Sequence, residues 1–144
     1  MDLHTIEILN GIVTALTTAL PTATVSREMV DIDQLCHSKG DFPRAMVLWG
    51  GGDQTHRLGR SSADEDLEVV LVLYVHDDSD PESALMALFK PTLSALATGL
   101  VVNVGGQDVE HFIDLTGRYT TDRQSAKPFG WLVKKVSIRQ RFTV

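Results

Sequence analysis

Apolar residues recur at two different spacings along this chain, and the spacings predict the order of its elements. Over residues 2–20 the apolar positions are three or four residues apart, which places them on one face of a helix. They are Leu3, Ile6, Leu9, Val13, Leu16 and Leu20. Asp2 is the predicted N-cap of this helix and Pro21 its stop.

A second helix is predicted directly after the acidic run at 77–80. Asp80 is its predicted N-cap, Pro81 its first residue, and Gly99 ends it. Pro91 predicts a kink, because proline removes one helical hydrogen bond. The apolar stripe of this helix is Leu85, Leu88, Phe89, Leu93 and Leu96.

Strand-like segments lie between the two helices. TATVSRE at 22–28 predicts a short edge strand, and RAMVLW at 44–49 predicts a second strand. Gly50–Asp53 then predicts a hairpin turn, since glycine tolerates the positive φ that such turns require. We expect the returning strand at 54–61 and a second, acidic turn at 63–66.

The strongest strand signal covers residues 67–76. One face carries Leu67, Val69, Leu71, Leu73 and Val75, and the other carries Glu68, Val70, Val72, Tyr74 and His76. Both faces are apolar in the middle, which is typical of a central strand that is covered on both sides. Helices can cover one face, so we expect the other face to need a neighbouring subunit.

Three further strands are predicted at 100–104, 108–116 and 131–144. In the last one, Lys135, Arg139 and Arg141 alternate with apolar residues and therefore share one face. The order of elements predicts an α+β fold, a mainly antiparallel β-sheet with two helices packed on one face. The length of 144 residues predicts a single domain, 1–144.

The net charge of −6 is distributed unevenly. Residues 117–144 carry seven basic side chains and one acid, a net charge of +6, while the rest of the chain has a net charge of −12. This split favours contact between oppositely charged surfaces, within the protein or with a partner. The alternative is that the fold mixes these charges over the surface.

The sequence carries few residues arranged for chemistry. The five histidines lack metal-ligand spacing, the glycine run lacks a phosphate-binding pattern, and Ser61 and Ser62 lack the nucleophile-elbow motif. We therefore expect no catalytic residues, no metal, no cofactor and no enzymatic activity. The single cysteine, Cys36, excludes an intrachain disulfide and favours production in a host cytoplasm.

Membrane and nucleic-acid binding are also disfavoured. No apolar run reaches the about 18 residues of a membrane span, and the N-terminus lacks the basic region of a secretory signal. The basic strand could follow a phosphate backbone, but no aromatic residues interleave with its cations to stack on bases. A charged protein–protein surface is the better interpretation of this strand.

Several segments resemble, in their order and pattern, the tail terminator proteins of long-tailed phages, the lambda minor tail protein U type. The resemblance covers nearly the whole chain. Its segments are TALTTALPTATV, FPRAMVLWGG, QTHRLGRSS, LEVVLVLYVHDDSDPESALMALF, DVEHFIDLTG and PFGWLVKKVSIRQRFTV. Pro91 and the segment 29–42 depart from the simplest version of the pattern.

The resemblance implies a non-enzymatic virion protein at the head-proximal end of the tail. Members of this family form a homo-oligomeric ring, commonly a hexamer, that caps the tail tube and ends its polymerisation. The implied partners are the tail tube protein and a head-completion or neck protein. DNA would pass through the channel without specific binding.

The resemblance and the charge pattern together give candidate assembly surfaces. We expect the apolar side chains Val70, Val72 and Tyr74 to pack against a neighbouring subunit. The basic residues Arg118, Arg123, Lys135, Arg139 and Arg141 would meet acids of the next subunit, namely Asp64, Glu65 and Asp66. Loops at Gly50, Gly51, Gly52 and Asp53, and from Asp122 to Lys127, would face the tube or the head-side partner.

Two other functions remain open from the sequence. The first is another neck component, such as a head–tail joining protein or a tube-like protein. The second is a small cytosolic ligand-binding or hydrolytic α+β domain, which an apolar pocket with convergent polar groups would favour.

Overall fold

The computed structural model describes residues 3–28, 42–56, 59–121 and 128–143. These residues form two helices, α1 (Thr5–Ala19) and α2 (Pro81–Ala97), and eight strands. The strands are β1 (Thr24–Ser26), β2 (Arg44–His56), β3 (Ser62–His76), β4 (Leu100–Val104), β5 (Gln107–His111), β6 (Ile113–Asp114), β7 (Tyr119–Thr121) and β8 (Phe129–Thr143). The sequence predictions for Asp2, Cys36, Asp122, Arg123 and Lys127 lie outside the described residues.

Three long strands form the body of the main sheet. Its order is β1-β2-β3-β8-β6, β7 also pairs with β8, and only the β1–β2 pair is parallel. Strands β4 and β5 form a separate antiparallel hairpin. The predicted α+β class, with a mainly antiparallel sheet and two helices on one face, is confirmed.

The core lies between the helices and one face of this sheet. Strand β3 contributes the residues predicted for its helix-side face, and all of them are at most 3% exposed. The helices meet this face with Ile8, Leu9, Ile12 and Leu16 from α1 and with Leu85, Leu88, Phe89 and Leu96 from α2. Full burial of each such side chain contributes roughly 1.5–3 kcal/mol, so this layer carries most of the stability.

The first turn of α1 differs from the prediction. The helix begins at Thr5, and Leu3 and Ile6 are 39% and 50% exposed. Its buried face instead includes Ile8 and Ile12, which the predicted stripe omitted. The His4 backbone N–H, directly before the helix, donates a hydrogen bond to the Gln140 side chain of β8.

The start of α2 agrees with its sequence signals. The Asp80 carboxylate accepts a hydrogen bond from the Ser83 backbone N–H at 3.1 Å, and Pro81 occupies the first turn. The helix continues through Pro91 to Ala97. Gly99 follows with φ +88°, a backbone conformation that favours glycine.

The predicted hairpin turn at Gly50–Asp53 is wrong. Strand β2 continues through these residues to His56, and β3 begins at Ser62, so the predicted acidic turn at 63–66 lies inside β3. The register shifts between Trp49 and Gly52, and Gly51 has φ +97°. The positive φ of Gly51 therefore belongs to a β-bulge and not to a turn, because β2 continues to pair with β3 beyond it.

Two smaller differences concern the last third of the chain. The strand predicted at 108–116 is divided into β5 and β6, with Phe112 between them. Strand β8 begins at Phe129 rather than at Trp131. Among the described residues, no helix combines the length and apolar character needed to cross a bilayer.

Gly130 lets α2 approach the sheet closely. A Cβ at this position would lie 3.1 Å from a Leu85 methyl carbon and 3.1 Å from the Pro81 Cβ. We expect Gly130→Ala to lower the free energy of unfolding by about 1–3 kcal/mol, because the added methyl group overpacks this contact. Urea unfolding measures the change.

The matched control for Gly130→Ala is the same substitution in a Leu85→Ala background. Removing the Leu85 methyl groups makes space, so the cost of the alanine should be smaller there. An equal cost in both backgrounds would contradict the packing explanation.

Candidate assembly surfaces

The outer face of the sheet, opposite the helices, is apolar in its middle but already largely covered. Register places Val72 beside Met46 on β2 and beside Val133 on β8. Val72 is 7% exposed and Met46 is 1% exposed, while Val70 and Tyr74 are half-buried. The expectation that Val72 needs a neighbouring subunit to be buried is therefore wrong. A contact by Val70 and Tyr74 with another subunit stays a prediction.

A ladder of ion pairs continues along the same face towards the C-terminal end of β8. Arg139 Nε donates to the Asp66 carboxylate at 2.9 Å, and Arg141 Nε donates to the Asp64 carboxylate at 2.8 Å. These pairs form because β3 and β8 are in register at both positions. These pairs are expected between subunits from the sequence, but Arg139 and Arg141 form them with acids of the same chain.

The ladder is exposed, and it fixes the ionisation of its members. The Arg139 hydrogen bond holds the pKa of Asp66 below its usual value, and Asp66 in turn raises the pKa of Arg139. Lys135 lies 3.9 Å from Glu68, a looser pair on the same face. Exposed pairs of this kind are screened by solvent and contribute little to stability. Their main effect is to neutralise charge on this face.

Glu65 does not belong to this exposed surface. It is 4% exposed on the helix side of β3, and its carboxylate accepts a hydrogen bond from the Gln54 side-chain amide at 2.9 Å. Its side chain fills the space above Gly52, where a Cβ would lie 2.6 Å from Oε1. The prediction that Glu65 meets a neighbouring subunit is wrong, because the residue points into the protein.

Lys134 on β8 is a second charged residue that is buried. It is 3% exposed, and its ammonium group donates to the carbonyls of Thr116 and Gly117 at 3.2 and 3.1 Å. It thereby ties the segment between β6 and β7 to β8. Part of the positive charge of the C-terminal segment is therefore internal, whereas Arg118 is exposed.

A buried polar cluster joins α1 to the sheet. The Gln140 side chain accepts from the His4 backbone N–H at 3.0 Å and donates to the Thr5 hydroxyl at 3.2 Å. His111 is 7% exposed nearby, and its Nε2 finds no hydrogen-bond partner within the described chain. Burial lowers the pKa of His111, and the charge of His4 lowers it further. No local sequence pattern predicts this cluster, because its members come from three separate segments of the chain.

Two aromatic side chains are more than half exposed to solvent. Trp49 on β2 is 61% exposed, and Phe112 between β5 and β6 is 78% exposed. Both stand in sequence segments whose pattern predicts buried strand residues. Large exposed aromatic rings on a folded surface are typical of protein–protein contacts.

Small-molecule sites are weakly developed in the described part of the chain. A groove between α1 and β4 is open and lined largely by alanine, glycine and threonine side chains. A second depression lies over the ion-pair ladder, where the arginines already bind aspartates. No group of three or more potential ligands for a metal lies together among these residues.

Comparison with known proteins finds similarity at the level of structure. A chain of a solved structure described as "Virion of native gene transfer agent (GTA) particle" superposes with a TM-score of 0.58 and 15% sequence identity. The match covers 94% of this chain and 95% of that chain, so the two share a fold over nearly their full lengths. No protein-family model matches the sequence. No curated protein matches it either.

The lowered pKa of His111 predicts a loss of stability in mild acid. The unfolded state binds the proton more readily than the folded state, so stability is complete above about pH 6.5 and falls as the pH drops below it. We expect His111→Gln to flatten this dependence between pH 7 and pH 5 in urea unfolding. The carboxylates with lowered pKa, Asp66, Asp77 and Asp114, act only below about pH 4.

The control for this pH series is His56→Gln, which removes an exposed histidine bonded to the Arg60 carbonyl. It should keep the wild-type slope between pH 7 and pH 5. A wild-type slope retained by His111→Gln would assign the dependence to another group.

Proposed function

We propose that this protein is a virion assembly protein of the tail-terminator type. In this function, copies of the chain form a ring of six equivalent subunits at the head-proximal end of a tail tube. The ring ends tube polymerisation and presents a surface to a head-completion or neck protein. The role is structural and needs no catalytic residue.

The observation that carries the proposal is the full-length match to a chain of a virion particle. The fold that matches has helices on one face of a mainly antiparallel sheet, the class that the order of elements in the sequence predicts. The exposed aromatics Trp49 and Phe112 add surface that a folded monomer leaves in water. A protein that works through contacts with other subunits needs such surface.

The decisive experiment adds the purified chain to polymerising subunits of the cognate tail-tube protein. We expect tubes to stop growing and to carry one ring of this protein at an end, seen by negative-stain electron microscopy with a labelled chain. The native mass of the released ring should be about six times that of the 15.8 kDa chain.

The same experiment separates the other neck and tube functions. Label distributed along the tubes would identify a tube-like protein, and unlabelled tubes of unlimited length would contradict the terminator function. An irrelevant protein of similar size and charge is the control for non-specific end binding.

A further inference from the structure

The main sheet has two margins that lack strand partners, on opposite sides. Strand β1 pairs only with Arg44–Met46, so along the described chain no strand covers the outer side of β2 from Val47 to His56. On the other side, β7 and β6 cover β8 only at residues 132–134 and 137–138. The Arg139 backbone carbonyl accepts a hydrogen bond from the His111 side chain, and Arg141 lies beyond that cover. Sheet margins of this kind favour association, because their backbone groups can pair with another chain.

The two margins differ in charge. Register places Asp53, Asp66 and Arg139 in one row across the outer face. Arg139 binds Asp66, and the exposed Asp53 carboxylate has no hydrogen bond or ion pair within the described chain. The row therefore begins with an unneutralised acid on β2 and ends with a guanidinium group on β8. Arg141 places a second guanidinium group on the β8 side in the next row, where it binds Asp64.

An exposed aromatic ring lies near each margin. Trp49 lies on β2, where its register partner Val69 places it on the helix-side face, opposite to the face of Asp53. Phe112 lies directly before Ile113, which pairs with Ile138 on β8. Exposed apolar rings and complementary charges along the same margins are typical of a protein–protein contact, with the rings providing affinity and the charges orientation. The β2 margin is defined here as Trp49 and Asp53, and the β8 margin as Phe112, Arg139 and Arg141.

We propose that copies of this chain associate head to tail, the β2 margin of one copy against the β8 margin of the next. Asp53 then lies beside Arg139 and Arg141 of its neighbour, so that each guanidinium group is placed between an acid of its own chain and an acid of the next. Because the two margins are different surfaces, the contact is heterologous and can close into a ring. This inference rests on the proposed ring function and specifies the contact that builds the ring.

Charge reversal tests the contact. Asp53→Lys should raise the dissociation constant of the ring at least about tenfold, because it places like charges together at every interface. The double variant with Arg141→Glu should recover most of this loss, since each contact regains one charge of each sign. Analytical ultracentrifugation over a range of protein concentrations measures both, and the urea midpoint of each variant checks its fold.

The control variant is Asp78→Lys, which makes the same charge change at an exposed residue at the opposite end of β3. Its dissociation constant should stay within about twofold of wild type, because surface charges far from a contact have small, screened effects. Equal weakening by Asp78→Lys and Asp53→Lys would overturn the proposed contact in favour of a general charge effect.

Cysteine cross-linking tests the geometry without reversing a charge. In a Cys36→Ser background, a mixture of Asp53→Cys and Arg141→Cys chains should form disulfide-linked dimers under mild oxidation. Neither variant alone should do so, because a heterologous contact brings together two different positions. Dimers from Asp53→Cys alone would show a two-fold contact and overturn the proposal.

The outcomes distinguish this contact from the ring function itself. Rings that form at tube ends but show neither the Asp53→Lys effect nor the mixed cross-link overturn the contact and leave the terminator function standing. Wild-type protein that stays monomeric with and without tubes overturns both.

Discussion

The pairing of β3 with strands on both of its sides is the constraint on which the rest of the structure depends. It runs in register with β8 from Ser62 to His76, and with β2 on either side of the bulge. One set of alternating side chains then forms the apolar face of the sheet against which both helices pack. The other set brings acids opposite arginines. The apolar core and the charged surface lie on opposite faces of the sheet, and both depend on the same strand register.

The elements that sequence predicts well are those whose signals are local. Asp80, Pro81 and Gly99 mark the ends of α2 through their own backbone and side-chain chemistry, and the alternation of β3 needs no knowledge of its neighbours. The run Gly50–Asp53 shows the limit. Positive φ at glycine serves a turn or a bulge equally well, and the choice depends on whether residues more than ten positions away continue the pairing.

The candidate surfaces were harder to predict than the fold, for a related reason. Alternation with apolar residues places Arg139 and Arg141 on one exposed face of the last strand, but it does not say whether their acids belong to the same chain. Lys134 and Glu65 stand one position from exposed partners in the sequence, yet both are buried. Trp49 and Phe112 show the reverse error, because apolar character predicts burial and the margins of the sheet leave both in water.

Gly130, which lies beneath α2, also determines the register of β8 on β3, which the ion pairs alone do not determine. A slip of β8 by two residues along β3, in either direction, would keep each side chain on its present face of the sheet. Two acid–base pairs could then form again. In one direction they would be Asp66 with Arg141 and Glu68 with Arg139. Opposite Val75, however, the slip would put Leu132 or Pro128 where Gly130 now lies. Neither fits beneath Leu85 and Pro81. The absence of a side chain at Gly130 thus selects one of three β3–β8 registers that differ little in their ion pairs.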